Sequence, residues 1–342
     1  MNMKFIKKVP TAEEIIAQIP LPDHIKIIKQ KRDQEIRKIL EGEDNRFILI
    51  IGPCSADNED SVCEYIGRLA QVQEKVKDTI LIIPRIYTNK PRTTGEGYKG
   101  MIHQPDPSKE PDLCEGIKAI RSLHIRALTE FYMPAADEML YPENYMYLLD
   151  VLGYIAVGAR SVENQQHRLT VSGVSTPVGM KNPTSGDLTV MLNSIYAAQQ
   201  SHNFIYNGWE IETTGNPLAH AILRGAVDAS GRNIPNYHYE DLINIAYEYE
   251  KQPMVNPAII VDTNHANSMK RYAEQPRIAR EVLISRTYDS LLNKMIKGLM
   301  IESYLFEGRQ DIGENIYGKS ITDACLGWED TERLIYRIAE KV

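Results

Sequence analysis

Eight short runs of apolar, largely β-branched residues recur along the chain, at Phe47–Ile51, Thr79–Ile86, Met133–Met139, Tyr154–Val157, Pro177–Met180, Asn203–Tyr206, Ala258–Val261 and Gly298–Ile301. Helix-length stretches separate most of them, among them Ser61–Lys77, Asp112–Leu128 and Pro142–Leu152. Strands that read as nearly continuous apolar runs are buried on both faces, as in parallel sheets covered by helices. Eight of them alternating with helices predict an α/β fold of the (β/α)8 TIM-barrel type. An open doubly wound sheet is the rival. It would carry a glycine-rich phosphate loop after the first strand, and Gly52-Pro53-Cys54-Ser55 is not GxGxxG.

Residues 1–45 are charged and helix-prone, with Leu40-Glu41-Gly42 fitting a helix end and its glycine, so they are expected to form an N-terminal helical arm. Residues 46–342 are then the catalytic barrel. One interruption is a Gly- and Asn-rich stretch with alternating segments around Trp209–Thr213 and His220–Leu223. It predicts a β-hairpin insertion at about 205–235, on the sixth βα connection.

Barrel active sites lie beyond the C-terminal ends of the strands. Nearly every strand of this reading delivers a polar group there: Cys54, Arg85 followed by Tyr87, Lys90 and Arg92, Glu138, Arg160, Lys181, Arg224, Asp262 with His265, and Glu302, with Asp323 in the next loop. Any one of these is more simply a packed or solvated side chain. Their convergence on one rim is harder to explain that way. Cys54, His265, Glu302 and Asp323 combine a soft thiolate, an imidazole and two carboxylates, a set that suits a divalent transition metal (Mn, Fe, Co or Zn) better than Mg or Ca. Arg85, Lys90, Arg92, Arg160, Lys181 and Arg224 would repel one another unless anions sat among them. Phosphates and a carboxylate would use them well.

Composition limits the alternatives. The 342 residues are 43% hydrophobic and 25% charged, ordinary for a globular chain. No apolar run approaches the ~20 residues of a membrane helix, and Met1–Val9 lacks the pattern of a secretory signal. A cytoplasmic protein without membrane partners is expected. A net charge of −7 argues against a sequence-independent grip on nucleic acid. Four cysteines without CxxC spacing read as thiols or single ligands rather than a disulfide framework.

The chain resembles a known family. IGPCS (51–55), NKPRTT (89–94), GAR (158–160) with QQHR (165–168), VGMKN (178–182), LRG (223–225), DTNHANS (262–268), ES (302–303) and YGKSITDACLGWEDT (317–331) match in order the signatures of the type I 3-deoxy-D-arabino-heptulosonate 7-phosphate (DAHP) synthases, the longer bacterial and fungal form. The resemblance implies condensation of phosphoenolpyruvate with erythrose 4-phosphate, the first step of the shikimate pathway to aromatic amino acids. It implies Cys54, His265, Glu302 and Asp323 as metal ligands. Arg85 and Lys181 are then expected at the phosphoenolpyruvate carboxylate, and Arg160, Arg224, the Ala159 amide and Glu138 at its phosphate. Lys90, Arg92 and Thr93 are expected at erythrose 4-phosphate, with Lys90 donating a proton to the forming alkoxide. A homodimer or tetramer is also implied.

Departures from the pattern concern the remote effector pocket of feedback-inhibited members. Ser175 survives there, but Tyr206 replaces a small residue, so weak or absent inhibition by phenylalanine is expected. Cys325, two residues after Asp323, would threaten the metal-free protein with a disulfide if it lay near Cys54. The rivals are the sister 3-deoxy-octulosonate 8-phosphate synthase, which lacks the KPRT run, a metal-dependent aldolase that releases no phosphate, and a non-catalytic sugar-phosphate-binding barrel.

Overall fold

The computed structural model describes residues 2–89, 100–106, 109–311 and 313–342. The chain begins with α1 (Ala12–Gln18) and α2 (Asp23–Glu41). Thr11 closes a capping box on α1 with Glu14, and Gly42 ends α2 in the left-handed conformation at φ 84°, as its sequence suggests. Then follow β1 (Phe47–Gly52), α3 (Glu59–Val76), β2 (Ile80–Pro84), α4 (Leu113–Phe131), β3 (Ala136–Glu138), β4 (Tyr154–Val157), α5 (Gln165–Ser172), β5 (Val178–Lys181) and α6 (Leu188–Ala198). The second half holds β6 (Asn203–Tyr206), β7 (Trp209–Glu212), β8 (Ala219–Leu223), β9 (Ala226–Val227), β10 (Asn233–Ile234), α7 (Tyr239–Glu250), β11 (Ile259–Asp262), α8 (Gln275–Tyr288), α9 (Ser290–Met295), β12 (Ile296–Glu302) and α10 (Trp328–Ala339).

Eight parallel strands pair in the order β2-β1-β12-β11-β8-β5-β4-β3. A parallel bridge between Arg85 and Ala136, with the Ile86 amide donating to the Ala136 carbonyl at 2.9 Å, joins the outermost pair and closes the barrel. Strand alternation divides the core in two. On β1, Ile48 and Ile50 point inward to meet Leu81, Ile83, Ala156, Ile222, Ile260 and Met300. Phe47, Leu49 and Ile51 point outward into the layer beneath the helices. Helix α2 lays Ile36, Ile39 and Leu40 against the interior set.

Three expectations need correction. Asn203–Tyr206 is not a barrel strand: β6 pairs antiparallel with β7 as a separate hairpin, its side chains half-buried or exposed, and the sixth barrel strand is β8. Of the two segments expected to form the insertion hairpin, Trp209–Thr213 instead supplies β7, ahead of the sixth barrel strand, and His220–Leu223 belongs to β8 itself; the sixth βα connection carries a different, short hairpin of β9 and β10. The run from Pro142 forms only a 3-10 helix to Tyr147, with turns beyond it rather than a helix to Leu152. Asn144, Tyr145, Tyr147, Asp150 and Val151 in that segment are weak helix formers.

Candidate active site at the C-terminal ends of the strands

The parallel register carries each strand to the same mouth, and the residues picked from the sequence arrive there. Glu138, Lys181 and Glu302 are the last residues of β3, β5 and β12. Cys54, Arg85 and Arg224 follow β1, β2 and β8 within two residues, and Ala159 and Arg160 follow β4 in a turn. Asp262 ends β11, and His265 lies three residues on. Lys90, Arg92 and Thr93 lie outside the described residues.

Cys54, Glu302 and Asp323 form one group, with a ligand atom from each within 4.8 Å of the others. The Cys54 thiol sits 3.6 Å from Asp323 Oδ2, and the Asp323 amide donates to Sγ at 3.3 Å. His265 stands beside this trio rather than within it, its Nε2 3.7 Å from Glu302 Oε1. Its Nδ1 lies 2.9 Å from Asp262 Oδ2 but is too poorly aligned for a hydrogen bond, and is left buried without one among the described residues. The His265 backbone is left-handed, at φ 51°, an unfavourable conformation for a residue with a Cβ. Asn267 helps to impose it, tying the loop to the Asp262 and Leu223 carbonyls at 2.8 and 3.2 Å. Burial lowers the His265 pKa despite the facing carboxylates.

Positive charge surrounds the group. Arg85 is buried and donates to Glu302 Oε1 at 2.8 Å, to the Pro53 and Cys54 carbonyls at 3.0 and 3.2 Å, and to Met300 Sδ at 3.3 Å, with Tyr87 stacked 3.6 Å from its guanidinium. Most of its hydrogens are thereby committed to the protein. Lys181 donates to Asp262 Oδ2 at 3.2 Å. Burial alone would raise the Asp262 carboxyl, but His265, Lys181 and Arg85 outweigh it and hold it well below the usual range. Close polar contacts thus run from Lys181 to Asp262, from Asp262 to the His265 ring and from that ring to Glu302.

Arg224 is nearly sealed from solvent, and its Nη1 has no hydrogen-bond partner among the described residues. Burial lowers its pKa from the ordinary value. An unsatisfied buried guanidinium nitrogen is costly, and an anion would satisfy it. Glu138 is buried over Gly158, where any added Cβ would fall 2.4 Å from Oε1 and push the carboxylate from its place. Arg160 is exposed beside it.

Three groups at this mouth went unremarked in the sequence. Asn264 donates to Glu302 Oε2 at 2.6 Å and accepts from Ser268 Oγ at 2.6 Å. Gln275, fully buried at the start of α8, brackets the backbone of Glu302, its Nε2 donating to the carbonyl at 2.8 Å and its Oε1 accepting from the amide at 2.9 Å. Asn264 and Ser268 lie inside the DTNHANS peptide, which marked them as part of a motif without separating their roles. Gln275 carries no local signal, since a glutamine at a helix start reads as solvated.

Away from this mouth, the Tyr206 hydroxyl donates to the Pro142 carbonyl at 2.8 Å, while Ser175 is exposed on a separate cleft lined by α2. Cys54 and Cys325 are not disulfide-bonded, and burial pushes the Cys325 thiol well above its ordinary pKa.

A closed parallel barrel whose strand ends gather a thiol, carboxylates and an imidazole among arginines and a lysine defines an α/β-barrel enzyme for anionic substrates. Comparison with known proteins narrows this class. The model of the DAHP synthetase I family matches residues 24–335, and the chain belongs to that family. Phospho-2-dehydro-3-deoxyheptonate aldolase of Haemophilus influenzae is 38% identical over 345 residues, covering 98% of this chain and 90% of that protein. The Phe-sensitive enzyme of the same name from Escherichia coli K12 is 35% identical over 351 residues, covering 100% and 97%. The solved structure of the Francisella tularensis aldolase superposes with a TM-score of 0.92 at 33% identity, over 100% of this chain and 98% of that one.

Proposed function

We propose that the chain condenses phosphoenolpyruvate with erythrose 4-phosphate and water to give 3-deoxy-D-arabino-heptulosonate 7-phosphate and inorganic phosphate. The supporting observation is the joining of the Cys54–Glu302–Asp323 group, through His265 and Asp262, to Lys181 at one barrel mouth.

Cys54, Glu302 and Asp323, with His265 turning in from the side, would hold a divalent metal ion. The mixture of thiolate, imidazole and carboxylate fits a borderline transition metal. Such an ion would draw electron density from the sugar aldehyde. The remaining steps fall to the chain's own residues. Lys181 and the uncommitted part of the Arg85 guanidinium hold the phosphoenolpyruvate carboxylate. Arg224, Arg160 and the Ala159 amide hold its phosphate, which places C3 of the enol to form the new bond to the aldehyde carbon. The Glu138 carboxylate is near enough to Arg224 to favour its charged form. Lys90 supplies the proton to the oxygen that this bond frees, and Arg92 and Thr93 anchor the second phosphate. Water then adds at C2, and phosphate departs with cleavage of its bond to that carbon.

The test is release of inorganic phosphate from phosphoenolpyruvate. It should require erythrose 4-phosphate and stop with a chelator. Release without the sugar phosphate would mean simple hydrolysis, and cleavage of a keto-sugar without any phosphate release would favour an aldolase. The N-terminal arm, a cytoplasmic location and a homo-oligomeric state belong to the same proposal, the last testable by light scattering on the full chain.

A further inference from the structure

We infer that Asn264, set by Ser268, is a positioning residue for Glu302 and thereby helps to determine how tightly the site takes up its metal ion. The inference rests on the proposed role of Glu302 as a ligand. A carboxylate on the last residue of a strand is free to turn about its own bonds unless something holds both oxygens. Here Arg85 Nη2 holds Oε1 at 2.8 Å and Asn264 Nδ2 holds Oε2 at 2.6 Å, from the two flanks of β12. All of these side chains are buried.

The direction of the asparagine amide follows from the chemistry of its neighbours. A carboxylate only accepts, so the face of Asn264 towards Glu302 must be its NH2. That leaves Oδ1 on the other side, where the Ser268 hydroxyl donates to it at 2.6 Å. The two contacts agree on one amide orientation. The Asn264 backbone is fixed as well, its amide donating to Asp262 Oδ1 at 3.0 Å. The arrangement is therefore a relay from Ser268 to Asn264 to Glu302, contained within one loop and reaching across to β12. Groups that orient a metal-binding side chain commonly alter metal affinity about 10- to 100-fold when removed.

The experiment titrates the metal-free full chain with Mn2+ alone, by calorimetry or competition with a coloured chelator, alongside thermal unfolding of the metal-free protein. Asn264→Leu keeps the volume and deletes the donor, and is expected to weaken Mn2+ binding about 10-fold or more. Activity should return at high Mn2+, as a rise in the metal concentration needed rather than a fall in the plateau. Ser268→Ala, which removes only the hydroxyl that sets the amide, should move affinity the same way by a smaller factor. Glu302→Gln separates the two levels of the argument. If it leaves Mn2+ binding unchanged, the ligand reading fails. If it weakens binding while Asn264→Leu and Ser268→Ala do not, the positioning role alone is overturned. Should Asn264→Leu fail to fold, Ser268→Ala decides, and unchanged affinity there counts against the inference.

Discussion

Arg85 meets Glu302 inside the barrel mouth, Nη2 to Oε1 at 2.8 Å, with both side chains wholly removed from solvent. The guanidinium also spans the Pro53 and Cys54 carbonyls, so a single residue fastens the ends of three neighbouring strands. Removing one member of a buried pair leaves the other charge uncompensated, at roughly 3–5 kcal/mol. Arg85→Met should therefore lower the unfolding free energy by about that amount in urea titrations of the metal-free chain. Arg85→Lys should not restore it, because one ammonium cannot reproduce a planar fork reaching several acceptors. A loss below about 1 kcal/mol, the scale of an exposed ion pair, would show the pair to be less buried than it stands here.

Arg224 presents the opposite situation, a buried cation with one nitrogen unsatisfied among the described residues. In the proposed reaction that nitrogen meets the phosphate of phosphoenolpyruvate. A hydrogen bond to a charged group contributes about 1.5–3 kcal/mol. Arg224→Ala should raise the KM for phosphoenolpyruvate roughly 10- to 100-fold on that scale, with little change in the KM for erythrose 4-phosphate. Steady-state kinetics with each substrate varied in turn make the comparison. Equal effects on both would move Arg224 away from the phosphoenolpyruvate subsite.

The barrel was legible in the sequence because its strands are buried on both faces: β1 and β2 read as unbroken apolar runs, and Val178–Met180, Ile259–Val261 and Gly298–Ile301 supply the apolar stretches of β5, β11 and β12. The sixth strand was not. Asn203–Tyr206 has the composition of a strand and is one, but in a hairpin outside the barrel. The true β8 is interrupted by His220, which belongs in the interior only because the Tyr154 hydroxyl meets its Nε2 at 2.7 Å and the Leu218 carbonyl takes its Nδ1 at 2.8 Å. Burial lowers that imidazole to about 4, keeping it neutral. A local pattern does not reveal a partner on a strand 66 residues away. The site shows the same division. The polar residues at the strand ends could be picked out one by one, whereas the contact of Cys54 with Asp323 spans 269 residues and exists only once the barrel has closed. The commitment of Arg85 to the protein, and the bracketing of Glu302 by Gln275, were likewise beyond the reach of spacing.

Metal removal should act on stability as well as activity. A ligand that binds only the folded state stabilises it by about 2.7 kcal/mol at one hundred times its Kd. Chelator-treated chain should therefore melt at a lower temperature, and the melting temperature should climb with added Mn2+ or Zn2+. Cys54→Ala should abolish that climb while leaving the metal-free melt nearly unchanged. Scanning calorimetry across a metal series checks both. A climb that persists in Cys54→Ala would place the stabilising ion elsewhere.

Tyr206 bears on regulation. Its hydroxyl fastens the β6–β7 hairpin to the Pro142 carbonyl at 2.8 Å, with the ring half-buried against Phe204. A large side chain tied down there leaves less room than a small one would. Phenylalanine in the micromolar range should leave initial rates essentially unchanged, and Tyr206→Ser should increase any sensitivity. Clear micromolar inhibition of the unaltered chain would refute the occlusion.

Asp57, just beyond Cys54 on the loop into α3, supplies a test by pH. Burial pushes its carboxyl up to about 6, although Tyr304 and backbone amides favour the charged form. Its folded pKa lies above the unfolded one, near 3.9. The folded state therefore binds the extra proton between these values, and stability falls as pH rises through that window. Asp57→Asn removes the charge while keeping an oxygen to accept from Tyr304. The variant should match the parent near pH 4 and exceed it near pH 7.5. Two pKa units correspond to almost 3 kcal/mol, and partial exposure to solvent reduces the expected gain to about 1–2 kcal/mol. Urea unfolding at several pH values reads the difference directly, and parallel curves for the two proteins would mean that Asp57 ionises in the folded chain as freely as in the unfolded one.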